Sequence, residues 1–348
     1  MSPANERRLV LVVGVGRSGT SLFSGILSEL GFHIPRPEVK ANDTNPRGFG
    51  EPRWVVDFHT RLLRAQRVTV NDSRPVAFSK TTAAGDGSDV RAELREWLGV
   101  QMREADDVLV KGPRTAWFLP LWTECAREVG AATSFVTMLR HPAEILESAR
   151  KSYGERQTPA SRIAAWLNVT LETERATRSS ARAFVRYEDL LSDWRREVTR
   201  VGDLLAVPSL ATIETERAAG VDEFVDPTLH RNRVRWEDVD VPAGLRDMAE
   251  EVWRELQPLA DPGGDSQAVH TRLDAAREAY LAFYAEAEAI AQSSVLAAKP
   301  RKKQPAAAGH DGKAPEPPSL RVRMARRVPP PLRRRLRRAA RGLRGARS

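Results

Sequence analysis

Cysteine is almost missing from this chain: among 348 residues only Cys125 occurs. No intrachain disulfide can form, so the core alone must hold the fold, and a reducing compartment is expected. Long apolar runs are missing too. None reaches the roughly 18 residues of a membrane-spanning helix, and the opening MSPANERR lacks the apolar centre of a secretory signal. These gaps predict a soluble, cytoplasmic protein. The six histidines and one cysteine form no cluster at metal-ligand spacing, and no dedicated carboxylate set stands out, so no metal is expected. Internal repeats are not evident.

Excess positive charge is missing from most of the chain, although the net charge is +9. Residues 299–348 hold 17 Lys+Arg against 2 Asp+Glu, which leaves 38 against 44 for residues 1–298. An acidic body argues against a nucleic-acid-binding protein, whose basic footprint would extend over the folded part. Residues 299–319, KPRKKQPAAAGHDGKAPEPPS, are too poor in apolar side chains to pack. The reading is one folded domain over 1–296, a disordered linker over 297–320 and a basic tail over 321–348. In the tail Leu332, Leu336, Ala339 or Ala340 and Leu343 recur at helical spacing among arginines. Such a segment fits a basic amphipathic helix peripheral to an anionic inner membrane surface, or a disordered cationic arm that touches any polyanion.

What is present begins at residues 8–22, RLVLVVGVGRSGTSL. Leu9 to Val13 read as a strand that breaks into a glycine-rich turn, where Gly14, Gly16 and Gly19 permit unusual φ and close approach. Thr20 and Ser21 then open a helix with Leu22, Ile26, Leu27 and Leu30 on its sheet-facing side and Gly31 as its stop. Backbone N–H groups and the helix dipole converge there on an anion, as in a phosphate-binding loop. The triphosphatase pattern GxxxxGK[ST] fits Gly14 and Gly19 but finds Thr20 where its lysine belongs, which weakens a kinase reading. The literal GxGxxG needs a ribose-binding carboxylate at the end of a second strand; here His33-Ile34-Pro35 is a poor strand end and Glu38 lies in a Pro-rich stretch. What remains is a loop with a cation at Arg17 and hydroxyls at Ser18, Thr20 and Ser21, suited to a compact tetrahedral oxyanion. This arrangement resembles the 5′-phosphosulfate loop of sulfotransferases that use 3′-phosphoadenosine 5′-phosphosulfate (PAPS).

A second anion motif supports the resemblance. Residues 135–153, FVTMLRHPAEILESARKSY, read as a strand ending at Arg140, a proline-started helix and Ser148 two turns on. In the family the equivalent Arg and Ser grip the 3′-phosphate, although an exposed arginine and an ordinary helix serine would look the same alone. Arg186-Tyr187-Glu188-Asp189-Leu190 resembles a family segment whose carboxylates mainly cap a helix. The stretch from Phe224 to Arg231 resembles a late element of bacterial, actinobacterial-type members, which assigns Arg231 to the 3′-phosphate side; a turn with an exposed basic cluster is the alternative. Val110-Lys111-Gly112-Pro113-Arg114 resembles a strand end that faces the cleft, so Lys111 or Arg114 is expected at the substrate or the transferring group. The histidine base of cytosolic members is absent. Glu51 takes the position of the Glu used by other branches, ahead of His33, Asp43 and His59, and a helix-start carboxylate is its plainer reading.

The alternation of strands and helices predicts an α/β fold: a P-loop-type doubly wound parallel sheet flanked by helices, with a largely helical C-terminal part and a disordered basic tail. Strands are expected near 9–13, 107–111 and 133–139 and from near Arg182, the last leading into a helix by Leu190, and helices near 51–65, 88–104, from 117, from 142 and 159–180. The resemblance implies in-line sulfuryl transfer from PAPS to a hydroxyl or amine of a carbohydrate, glycolipid or small metabolite. Glu51, Arg17 and Lys111 would act on the reacting groups, and Gly16, Arg17, Ser18, Gly19, Thr20, Ser21, Arg140, Ser148 and Arg231 would hold the nucleotide. Another P-loop nucleotide-binding enzyme, such as an atypical kinase, is the rival.

Overall fold

The computed structural model describes residues 7–42, 48–154, 157–225 and 234–298. The first half runs β1 (Arg8–Val13), α1 (Thr20–Glu29), α2 (Arg53–Ala65), α3 (Val76–Gly85), α4 (Ser88–Glu104), β2 (Asp107–Lys111), α5 (Leu119–Glu128) and β3 (Ala132–Leu139). It continues through α6 (Pro142–Tyr153), α7 (Pro159–Thr177), β4 (Ala181–Arg186), α8 (Tyr187–Ser192), α9 (Trp194–Leu204), α10 (Pro208–Ala211), α11 (Thr215–Phe224), α12 (Ala243–Leu256) and α13 (Gln267–Ala298). By its internal contacts the chain divides into two compact units, Met1–Gln292 and Ser293–Ser348.

The sheet has four strands in the order β2-β1-β3-β4, all parallel. A parallel sheet needs helices on both faces, so its central strand must be apolar on both sides. β1 meets that demand with Leu9 through Val13, every one buried. Val10 and Val12 face α1, α9 and α11 through Phe23, Ile26, Val198 and Val221. Leu9, Leu11 and Val13 face the opposite layer, where Phe58, Leu98, Trp117 and Trp122 come from α2, α4 and the α5 region. A third cluster joins α6, α7, α12 and α13 through Leu146, Leu167, Val252, Leu273 and Tyr280.

From β1 the chain goes outward to β2, then returns across β1 to β3 and continues to β4. The direction reverses between β1 and β3, and open α/β sheets bind ligands at the carboxyl ends flanking such a switch point. Those ends are Val13, which feeds the glycine-rich turn, and Leu139, which feeds Arg140.

All four expected strands are present, their starts shifted by a residue at most. The expected helix from residue 117 instead starts with a 3-10 turn at Thr115–Phe118 before α5. α3 has no counterpart in the expectations, because VAFSKTTAAG shows little amphipathic pattern and owes its helix to packing Ala77 and Thr81 inward. α13 runs to Ala298, two residues into the expected linker; the rest of the linker, the basic tail and Arg231 lie outside the described residues.

Candidate active site

The turn after β1 takes its shape from two glycines and an arginine. Gly14 and Gly19 have φ of 137° and 101°, and Arg17 has φ of 76°, in the left-handed region that few non-glycine residues enter. A side chain at Gly19 would collide with the Tyr187 ring. Gly16 differs from the expectation: its φ is outside that region and a Cβ there would meet nothing within 4 Å, so the surrounding protein does not require glycine. Gly19 precedes α1 without a side-chain cap, so the first N–H groups of α1 belong to a helix start with no intrahelical partner for them.

The two anion motifs meet. Arg17 Nε donates to Ser148 Oγ at 3.0 Å, and Arg140 Nη1 donates to the Arg17 carbonyl at 3.2 Å. Arg140 and Ser148 are buried. Arg140 is fixed from two further sides, by Glu144 Oε2 at 2.9 Å and by the Tyr187 ring 4.5 Å beneath its guanidinium. Pro142 starts α6, and His141 caps it, its ring nitrogen accepting from the Ala143 N–H at 3.2 Å. That start directs Arg140 back toward the turn and brings Ser148 round to Arg17.

A third group arrives from β2 and the segment before α2. Ser21 and Ser24 of α1 donate to the carbonyls of Phe49 and Gly50 at 3.4 and 3.5 Å, laying residues 49–51 along the helix start. Lys111, at the end of β2, is 3 % exposed. Its Nζ donates to Ser21 Oγ at 3.0 Å, the Phe49 carbonyl at 2.9 Å and Glu51 Oε1 at 2.9 Å. Burial pushes the Lys111 ammonium below its ordinary value, the Glu51 carboxylate holds it up, and the nearby Arg17 and Arg114 charges lower it again. Glu51 Oε2 faces Arg114 at 3.7 Å, beyond a direct hydrogen bond. Glu51 is not a helix-start carboxylate, since α2 begins at Arg53 after Pro52.

The structure therefore brings Arg17, Ser21, Lys111, Glu51, Arg140 and Ser148 to one end of the sheet, with Gly16, Gly19 and Thr20 in the turn between them. Ser18 is there as well, but its hydroxyl is buried without a protein partner rather than set toward Arg17 and Ser148. His59 does not belong to the site. It is 1 % exposed, stacks on Phe118 and accepts from Trp122 Nε1 at 3.0 Å, and burial drops its pKa to about 3. His33 is also elsewhere: its backbone pairs with Asp107 and Leu109 in the opening half of β2, away from the Lys111 end. Asp43 and Arg231 lie outside the described residues. The carboxylates of the 186–190 stretch sit in the first turn of α8 without a side-chain cap, Asp189 pairing with Arg186 at 3.1 Å. Sequence reasoning missed Tyr187 and Glu144 as supports of Arg140. Only the four-residue spacing of Arg140 and Glu144 on one helix start could have indicated the latter.

Among the described residues no three His, Cys, Asp or Glu side chains converge as a metal ligand set, and no helix is long and apolar enough to cross a membrane. The family model described as "Sulfotransferase family" matches residues 10–211, a span that contains every site residue just placed. No curated protein matches the chain. Among solved structures, the sulfotransferase domain of the Synechococcus PCC 7002 olefin synthase aligns with 17 % identity and a TM-score of 0.40, covering 72 % of this chain and 96 % of that one.

Proposed function

Because this chain belongs to the sulfotransferase family, it transfers sulfuryl groups, and we propose that the donor is PAPS and the acceptor a hydroxyl or amine of a carbohydrate, glycolipid or small metabolite. The observation that carries the donor assignment is the joining of two anion motifs. Arg17 bonds Ser148 at 3.0 Å while Arg140 bonds the Arg17 backbone at 3.2 Å, so two guanidiniums and a hydroxyl converge beside a helix start. That donor set fits a nucleotide carrying phosphates at two positions. A nucleotide with phosphates on its 5′ side alone would leave the Arg140 and Ser148 pair unused.

In this reading Arg17 and the first N–H groups of α1 stabilise charge on the 5′ leaving group, and Arg140 with Ser148 holds the 3′-phosphate. The donor supplies an activated sulfuryl group. Transfer breaks the bond from sulfur to the bridging oxygen, forms a bond from sulfur to the acceptor oxygen or nitrogen, and passes the acceptor's proton to Glu51. Glu51 Oε1 is committed to Lys111, so Oε2, with Arg114 only at 3.7 Å, is the oxygen that takes the proton. Lys111 acts by fixing that carboxylate and by placing positive charge beside the reacting oxygens.

The test is ligand-dependent melting followed by turnover. Adenosine 3′,5′-bisphosphate is expected to raise the melting temperature well beyond AMP, ATP or NAD, because only it uses both anion motifs. Arg140→Ala and Ser148→Ala should each weaken its binding, by about 10-fold or more for the charged contact. Labelled PAPS with a panel of alcohol and amine acceptors then reads the transfer itself. Equal stabilisation by ATP and the bisphosphate would transfer the site to another nucleotide chemistry.

A further inference from the structure

Behind the turn, between β3 and α7, lies a small cavity that adjoins Arg140. Four hydroxyl residues line it: Ser18 of the turn, Thr137 of β3, and Thr170 and Thr173 of α7. Ser18, Thr137 and Thr173 are 1 %, 5 % and 1 % exposed, and none of these three oxygens has a hydrogen-bond partner within the protein. Thr173 is the informative member. A helical threonine usually returns its hydroxyl to a carbonyl one turn back, as Thr81, Thr123 and Thr177 do here. Thr173 forgoes that bond. The room in the cavity for a water centre is ≈ 10 Å³, about that of one molecule. Its other walls are mainly apolar, including Val15, Met138 and Trp166, with Arg140, Thr170 and Trp253 as the remaining polar side chains; none of these bonds the three hydroxyls.

We infer that one buried water bridges Ser18, Thr137 and Thr173, and that this bridge braces the anion-binding turn from behind, making Thr137 and Thr173 positioning residues for the donor. Three hydroxyls suit a buried water, which ordinarily makes two to four hydrogen bonds. Ser18 is the hinge of the effect because it follows Arg17, whose left-handed φ of 76° must be held by its surroundings. The Ser18 N–H already closes a turn onto the Val15 carbonyl at 3.2 Å. Tying its hydroxyl to β3 and α7 fixes the second attachment, and with it the direction in which Arg17 reaches Ser148. The positioning role rests on the proposal that this turn binds the donor; the water itself does not.

Two measurements on the full-length chain separate those claims. A high-resolution crystal structure without nucleotide is expected to show one ordered water within about 2.7–3.2 Å of all three oxygens. A dry cavity, or hydroxyls turned onto carbonyls, overturns the proposal whatever the ligand is. Thr173→Val and Thr137→Val are expected to raise the dissociation constant of adenosine 3′,5′-bisphosphate by about 2- to 10-fold each, and Thr173→Ser to restore it. A merely structural role predicts lower melting temperatures with unchanged affinity, and that result also overturns the brace. If wild-type protein binds no bisphosphate at all, the donor assignment fails and the crystal structure alone decides the water.

Discussion

Glu51 and Lys111 pair inside the protein at 2.9 Å, both buried. Removing one member of such a pair leaves the other as an unpaired buried charge, a cost of about 3–5 kcal/mol. Lys111→Met is therefore expected to lose stability of that order in denaturant melts, and Lys111→Met with Glu51→Gln to recover a good part of it. Glu51→Gln alone should lower turnover by about 100-fold or more as a lost base while leaving nucleotide affinity nearly intact. Full turnover in that variant removes Glu51 from the chemistry. A second residue sets a pH dependence. The buried His59 has its pKa depressed to about 3 from 6.5, so its contribution is fully present above pH 6.5. The contribution fades as pH falls below that value, because only the unfolded chain takes up the proton. Stability should fall by up to about 1.4 kcal/mol per pH unit below 6.5. His59→Gln, which keeps an acceptor for Trp122, should flatten that slope between pH 6.5 and 5; an unchanged slope means another group is responsible. Three of the expected residues that the structure brings together adjoin a strand end: Arg17 follows β1, Lys111 ends β2 and Arg140 follows β3. His59 was misplaced because its own periodicity went unused: Val55, Phe58, His59 and Leu62 are one buried helix face.

At the scale of elements, the strands were legible because a parallel sheet buried on both faces favours apolar runs: β1 supplies a long one at 9–13, and β2 and β4 shorter ones at 108–110 and 183–185. α1 and α6 were legible from their starts, a glycine turn and a proline. α3 was not, since its helix depends on partners distant in sequence. Nor could sequence spacing reveal that α8 begins with Tyr187, whose ring fills the space above Gly19 and supports Arg140. The same packing logic gives a contrast between two glycines. A Cβ at Gly25 in α1 would overlap the Phe224 ring of α11, whereas one at Gly16 would meet nothing within 4 Å. Gly25→Ala must push α1 from α11 and is expected to cost about 1–3 kcal/mol, with the melting temperature as the readout. Gly16→Ala should leave that temperature nearly unchanged and, if the proposed donor lies against the turn, weaken adenosine 3′,5′-bisphosphate binding. Equal destabilisation by both substitutions would contradict this division.

For the whole molecule, the sheet order explains why motifs more than a hundred residues apart form one site: β1 and β3 are neighbours, and their ends carry Arg17 and Arg140 to the switch point. Charge is divided as sharply as the fold is joined. Residues 1–298 are acidic by 38 Lys+Arg against 44 Asp+Glu, and residues 299–348 are basic by 17 against 2. Placed in one chain, these parts should separate functionally, the body holding nucleotide and the basic part seeking anionic surfaces. Each arginine near such a surface contributes about 1 kcal/mol, screened by salt over about 10 Å at 0.1 M. The full chain is therefore expected to bind vesicles of phosphatidylserine and phosphatidylcholine reversibly, and to leave them as salt rises. It should not bind vesicles of phosphatidylcholine alone, since the aliphatic positions Leu332, Leu336 and Leu343 are too few to hold it without charge. A chain ending at residue 298 should lose vesicle binding yet keep its affinity for adenosine 3′,5′-bisphosphate, because every placed site residue and all three core clusters precede that point. Equal binding to neutral vesicles would assign the attraction to apolar contact. Loss of nucleotide binding on truncation would instead make residues 299–348 part of the site, and either result would overturn the separation.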